Sequence, residues 1–154
     1  MSSSAPAASP TPAANPTPIM GMLGTLVGSI RGGDMETARA QLTPDVKWTS
    51  VYPASGLSFG GEAQGIDAVC ALLKDMFSSA DMVGLEVLKL MEDKDSMIVV
   101  AVETLKSIAT GKTFTNPYCC FCTVRDGKLA TIRLISDSFT ATRELGVSHP
   151  GKRA

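Results

Sequence analysis

Hydrophobic positions along this chain recur with two different periods. Ile66, Val69, Cys70, Leu73, Met76 and Phe77 repeat every three to four residues, which predicts an amphipathic helix over 66–78. Ile19, Leu23, Leu26, Val27 and Ile30 do the same over 19–30, and Gly32-Gly33 closes that helix. Asp34 is set to cap a short helix over 35–42, with Met35, Ala38 and Leu42 inward. From Ser96 the pattern becomes that of strands. A run of β-favouring residues, Ser96–Leu105, ends near Thr110-Gly111-Lys112; a second strand covers 113–124 and a third 129–139. Arg125-Asp126-Gly127-Lys128 joins the last two, an Asp-Gly turn between apolar strands.

Two more strands complete the pattern. Val46–Tyr52 places Val46, Trp48 and Ser50 on one face and Lys47, Thr49 and Val51 on the other, after a turn at Thr43-Pro44-Asp45. Val83–Met91 leads through the charged turn Glu92-Asp93-Lys94-Asp95 into the meander. Pro53–Gly65, rich in Gly and Ser, reads as the longest internal loop, and Thr140–Gly146 as a short closing segment. Three helices gathered on one face of a curved antiparallel sheet make an α+β fold, a cone with an apolar cavity at its open end. Pro117 inside the second meander strand marks a bulge or an edge position.

The ends of the chain read differently. Residues 1–18 hold five prolines and no charged side chain, a composition that predicts a disordered tail. The absence of Arg or Lys before Arg31 argues against a targeting peptide. Residues 19–146 form one domain, and 147–154 a mobile basic tail carrying the sole histidine, His149. A net charge of −1 argues against nucleic acid as a partner, and no apolar run approaches the length that spans a bilayer. Cys119, Cys120 and Cys122 lie within one strand, where neighbours point to opposite faces, so they read as core thiols rather than a metal or redox motif. Reduced thiols suit a cytoplasmic protein. Neither a metal nor another cofactor is expected.

The motif order Gly33-Asp34-Met35-Glu36, Thr43-Pro44-Asp45-Val46-Lys47-Trp48, Gly65-Ile66-Asp67-Ala68-Val69, Thr110-Gly111-Lys112 and Asp126-Gly127-Lys128-Leu129, with Asp137 closing the last strand before Leu145-Gly146, resembles the NTF2-like superfamily in its SnoaL-like and ketosteroid-isomerase-like branch. The resemblance covers roughly residues 19 to 146. Within it, Val102–Asp137 is most similar to the limonene-epoxide-hydrolase group, where one strand carries Arg-x-Asp and a later one ends in a second Asp. On that pattern Glu103 falls on the general acid and Asp137 on the Asp that activates water. Ala101 stands where that group has its arginine, and Trp48 and Ser50 stand near its water-holding Tyr and Asn. SnoaL-type cyclases pair the Asp with a His one strand earlier; Cys120-Phe121-Cys122-Thr123 contains none.

The candidate site follows from these residues. For Asp137, neighbours Leu134 and Ile135 and the family pattern favour the cavity over a solvated strand end or a helix cap. A carboxyl there would have a raised pKa, suited to acid/base work near neutral pH. Glu103 shares a face with Val99 and Ala101, yet Lys106 and Lys112 leave a surface ion pair open. Tyr118 offers a phenol, Arg133 shares the face of Asp137 as a possible counter-charge, Trp48 is a cavity wall, and Tyr52 sits at the loop mouth. These residues fit a cofactor-free acid/base enzyme on a hydrophobic small molecule, by isomerisation, cyclisation or epoxide opening, paired as a homodimer through the open sheet face. The alternative is a non-catalytic binding or dimerisation module of the same fold.

Overall fold

The computed structural model describes residues 17–50 and 61–145. The expected N-terminal tail up to residue 16, the C-terminal tail, Tyr52 and most of the Pro53–Gly65 loop therefore lie outside the described residues, as does His149, whereas Thr17 and Pro18, expected in the tail, cap and begin a helix.

The first helix, α1 (Pro18–Gly32), starts with proline at its first turn, where the missing N–H costs nothing. Its free N-terminal amides are met from afar: Ile19 N donates to Glu92 Oε1 at 3.1 Å, and the Thr17 hydroxyl also bonds the Glu92 carboxylate. The helix ends as its Gly32-Gly33 pair predicts. Gly33 takes φ 79°, and the amides of Gly33 and Asp34 reach back to the carbonyls of Ile30 and Ser29. Helix α2 (Met35–Ala40) is capped by Asp34, whose Oδ1 accepts from Thr37 N at 3.1 Å. It is shorter than expected, because Leu42 already begins a strand.

That strand, β1 (Leu42–Ser50), absorbs the expected Thr43-Pro44-Asp45 turn. Leu42 pairs with Leu129 and Lys47 with Thr131, so β1 advances five residues while its partner advances two. The turn-forming residues bulge out of the ladder instead of ending it. A short strand, β2 (Gly61–Gln64), occupies the end of the expected loop and pairs antiparallel with β1. Helix α3 (Ile66–Ser79) matches its 3.6-residue period, burying Val69, Cys70 and Leu73. Then come β3 (Ala80–Glu92), β4 (Ser96–Ser107), β5 (Thr113–Arg125), β6 (Lys128–Ser136) and a fourth helix, α4 (Ser138–Glu144). The last strand stops three residues before the expected Phe139, where α4 has already begun.

All six strands form one curved sheet in the order β2-β1-β6-β5-β4-β3, parallel between β1 and β6 and antiparallel elsewhere. The Asp-Gly turn has Asp126 at φ 53° and Gly127 at φ 71°, the paired positive angles whose twist matches that of the flanking strands. Pro117 causes no shift in the β4–β5 ladder; it lies one residue beyond the end of β6, which makes its stretch of β5 an edge. Helices α1 and α3 cover the inward face, burying Ile19, Leu26, Ile30 and Leu73 against Met97, Val99, Cys122, Ile132 and Trp48. No helix among the described residues is long and apolar enough to cross a membrane.

Leu26 is 0% exposed between α1 and the sheet. Leu26→Ala is expected to cost about 2–5 kcal/mol through lost burial and the cavity left behind. Val83→Ala on the exposed edge strand should stay within about 0.5 kcal/mol of the parent. Urea unfolding of both variants checks the contrast.

Candidate functional site

Alternation along β4 sends Met97, Val99, Ala101 and Glu103 to the inward face, and the first three are fully buried. The β4–β5 register sets Glu103 opposite Asn116, Ala101 opposite Tyr118, Val99 opposite Cys120 and Met97 opposite Cys122. Across β5, Tyr118 meets Ser136, Cys120 meets Leu134 and Cys122 meets Ile132. The inward face thus runs from an apolar floor under α1 and α3 to a polar rim of Glu103, Asn116 and Tyr118.

At that rim Asn116 Nδ2 donates to Glu103 Oε1 at 2.7 Å. Burial pushes the Glu103 carboxyl above the usual carboxylate range, while the Asn116 bond and the charge of Arg31 pull the other way. Desolvation wins. Tyr118 is held well above an ordinary phenol, first by burial and then by the neighbouring Glu103 charge, so it stays protonated at any physiological pH. Arg31 comes from the last turn of α1, where its guanidinium carbon lies 4.5 Å from the Phe77 ring centroid. Helix α3 thereby fixes the cation whose charge reaches Glu103. The surface ion pair with Lys106 or Lys112 left open by the sequence is not the arrangement found.

The other expected residues lie elsewhere. Asp137 is exposed and caps α4, accepting from Thr140 N at 3.1 Å. The Thr140 side chain first, and this backbone bond second, hold its carboxyl below the ordinary range, the reverse of the expected shift. Strand parity explains the difference: Ile132, Leu134 and Ser136 turn inward, so Arg133, Ile135 and Asp137 turn outward. Arg133 is accordingly exposed beside Phe121 on the outer face, not on the inward one. Trp48 is buried on the inward face beside Ile132, at the apolar end of the row containing Met97 and Cys122, away from Glu103. Of the six expected side chains, Glu103 and Tyr118 are brought together. Sequence reasoning missed Asn116 and Arg31. Asn116 precedes Tyr118 by two residues on the same strand, so the spacing held that signal; Arg31 carried none.

A separate open cleft of about 810 Å³ lies at the β5–β6 turn, lined by Lys94, Asp95, Arg125 and Asp126 among others. None of its lining residues is buried and it contains none of the rim side chains, so its size does not make it the better site. Among the described residues no three His, Cys, Asp or Glu side chains converge as a metal set.

The sequence profile of the SnoaL-like domain matches residues 26–132. The chain belongs to the SnoaL-like domain family. Solved structures extend the likeness to the fold. A putative isomerase from Rhodopseudomonas palustris superposes with a TM-score of 0.76 at 18% identity, covering 85% of this chain and 96% of its own. An NTF2-like protein from Burkholderia xenovorans gives 0.67 at 21%, covering 83% and 95%. TerC, crystallised with polyporic acid, gives 0.67 at 20%, covering 84% and 99%. At these identities the likeness establishes the fold and nothing finer. No protein of curated function matches the sequence.

The opposite shifts at the two carboxyls have measurable consequences. Carbon-detected NMR titration is expected to find Glu103 above, and Asp137 below, the ordinary carboxylate range. Because the folded-state pKa of Glu103 is raised, its contribution is fully present below its unfolded pKa and is lost as pH rises through the folded one. Glu103→Gln should therefore raise Tm at pH 8 and leave it nearly unchanged at pH 4. For Asp137 the sign reverses: its stabilisation is present above the unfolded pKa and fades as pH falls through the lowered one. Asp137→Ala should thus lower Tm at pH 7 and lose that effect in strong acid.

Proposed function

We propose that this SnoaL-like protein is a cofactor-free acid/base enzyme acting on a hydrophobic small molecule, with Glu103 moving the proton. The observation that carries this reading is a desolvated carboxyl with a raised pKa, hydrogen-bonded to Asn116 beside a Tyr118 phenol, on the inward face of the sheet. A carboxyl whose pKa lies above the usual range holds a proton more firmly than a solvated one, which favours its use as an acid as well as a base. The protonated phenol supplies a hydrogen bond to an oxyanion as charge develops on a carbonyl oxygen. Asn116 fixes the orientation of the Glu103 carboxyl, and Arg31 opposes its conversion to a permanent acid.

Among the three reaction types, isomerisation fits best. Moving a proton between two carbons needs one carboxyl and one oxyanion donor, both present at the rim. Epoxide opening needs a second carboxylate to activate water, and Asp137 faces solvent at a helix cap. The Rhodopseudomonas palustris neighbour, a putative isomerase, points the same way. A binding module is the second reading, favoured by Ala101 in place of an arginine on the acid-bearing strand. Under either reading, exposed Phe121 and Ile135 on the outer face support pairing of two copies through the open sheet. Free Cys70, Cys119, Cys120 and Cys122 suit the cytoplasm.

Screening cyclic enones, epoxides and related apolar carbonyl compounds with the wild-type chain tests the reading. Glu103→Gln is expected to cut kcat about 10²–10⁴-fold for any compound turned over. Affinity should change little, and Asp137→Asn should leave kcat within a fewfold of wild type. Unaltered turnover in Glu103→Gln would remove the carboxyl from the mechanism. Ligand binding without turnover across the screen would leave the binding module. Sedimentation of Ile135→Asp should show a monomer where the wild type sediments as a dimer.

A further inference from the structure

Asn116 holds a hydrogen-bonding capacity that acid/base chemistry at Glu103 leaves unused. The residue is 3% exposed, its Nδ2 bonds Glu103, and its Oδ1 is buried with no hydrogen-bond partner. The orientation of the amide is not arbitrary. An ionised carboxylate only accepts, so the NH₂ end must face Glu103 and the carbonyl end must face away from it. A buried amide oxygen left without a donor is costly and uncommon in folded proteins. Asn116 lies on the same inward row as Tyr118, between the carboxyl and the edge of β5 beyond the end of β6.

We propose that Asn116 Oδ1 accepts a hydrogen bond from the ligand, so that the molecule seated at Glu103 is a neutral apolar compound carrying an O–H or N–H donor. This rests on the reading of the Glu103 rim as the ligand site. Two acceptors side by side, the carboxylate and the amide oxygen, repel an anionic or acceptor-only head group and favour a donor. Leu85, opposite Glu103 on β3 and exposed, supplies apolar surface for the remainder. Asn116 is thus a specificity residue. A site built to receive a donor rejects the analogue lacking it, because its own polar group is then left unpaired.

A matched pair of probes tests this without knowing the natural ligand: trans-4-tert-butylcyclohexanol and its methyl ether, which share an apolar body and differ in the donor. Affinities are measured on the full chain at pH 7 by NMR, following backbone amides along β4 and β5 and the side-chain amide of Asn116. The alcohol is expected to bind at least tenfold tighter than the ether and to shift the Asn116 side-chain resonances. In Asn116→Leu the ratio should fall toward one, with the ether binding no worse than before. Equal binding of the two probes to the wild type, or failure of both to perturb the rim, would overturn the proposal, and neither outcome depends on a variant folding. A preference that survives in folded Asn116→Leu would overturn it too. Its failure is separable from that of the enzyme reading. A donor preference without turnover of any screened compound leaves this inference standing and the acid/base enzyme fallen; Glu103-dependent turnover with no donor preference does the opposite.

Discussion

The site depends on one constraint, the register of β4 against β5. The pairing runs without a bulge from Ser96 opposite Thr123 to Lys106 opposite Thr113. A slip of one residue would turn Met97, Val99, Ala101 and Glu103 to the outer face together. The apolar members resist that slip because Met97, Val99 and Ala101 lie against helices α1 and α3 with no exposure. Glu103 therefore does not choose its own position. It is carried inward by three hydrophobic residues at two-residue spacing, and the same ladder carries Asn116 and Tyr118 to meet it. The Asp126-Gly127 turn and the register shift between Thr123 and Val124 together set the next pairing, which brings Leu134 and Ser136 alongside.

That arrangement sets stability against chemistry. A carboxyl at the end of an apolar stripe loses hydration, and the Asn116 bond restores only part of it. The raised pKa measures the remaining cost of the charged form, and that cost is borne by the fold at neutral pH. The Tyr118 phenol beside it stays protonated, held so first by burial and then by the Glu103 charge. Elsewhere on the inward face the same strand positions hold valine, methionine and cysteine.

Most of the fold was legible in the sequence because its signals are local. The 3.6-residue period of Ile66–Phe77, the Gly32-Gly33 stop and the Asp-Gly turn each depend on a few neighbouring residues, and each appears where expected. What was not legible is set from a distance. Gly61–Gln64 has no strand pattern of its own; the open edge of β1 draws it into the sheet, with Lys47 and Glu62 paired at 3.5 Å. Asp137 was misread for a different reason. Asp137-Ser138-Phe139-Thr140 carries an N-cap signal, and the apolar run before it masked the start of a helix. Once Asp137 caps that helix, Arg133 must face outward with it, since the two share parity. The parity was readable; which face it belonged to was not. Asn116 was recoverable from Tyr118 by counting two residues back, whereas Arg31 is joined to the site only by packing on Phe77.

The change from Ala101 to Arg31 as the place to look for positive charge alters what the acid can do. In the limonene-epoxide-hydrolase pattern the arginine stands two residues before the acid on the same strand. Here that position is a buried alanine, and the cation sits on a helix end, exposed to solvent and stacked on an aromatic ring. A solvated guanidinium acts through a higher effective dielectric, so it lowers the Glu103 pKa less than desolvation raises it. An arginine at position 101 would tilt that balance toward the ionised form. The alanine leaves the Glu103 pKa above the usual carboxylate range, the direction that the proposed acid/base role calls for.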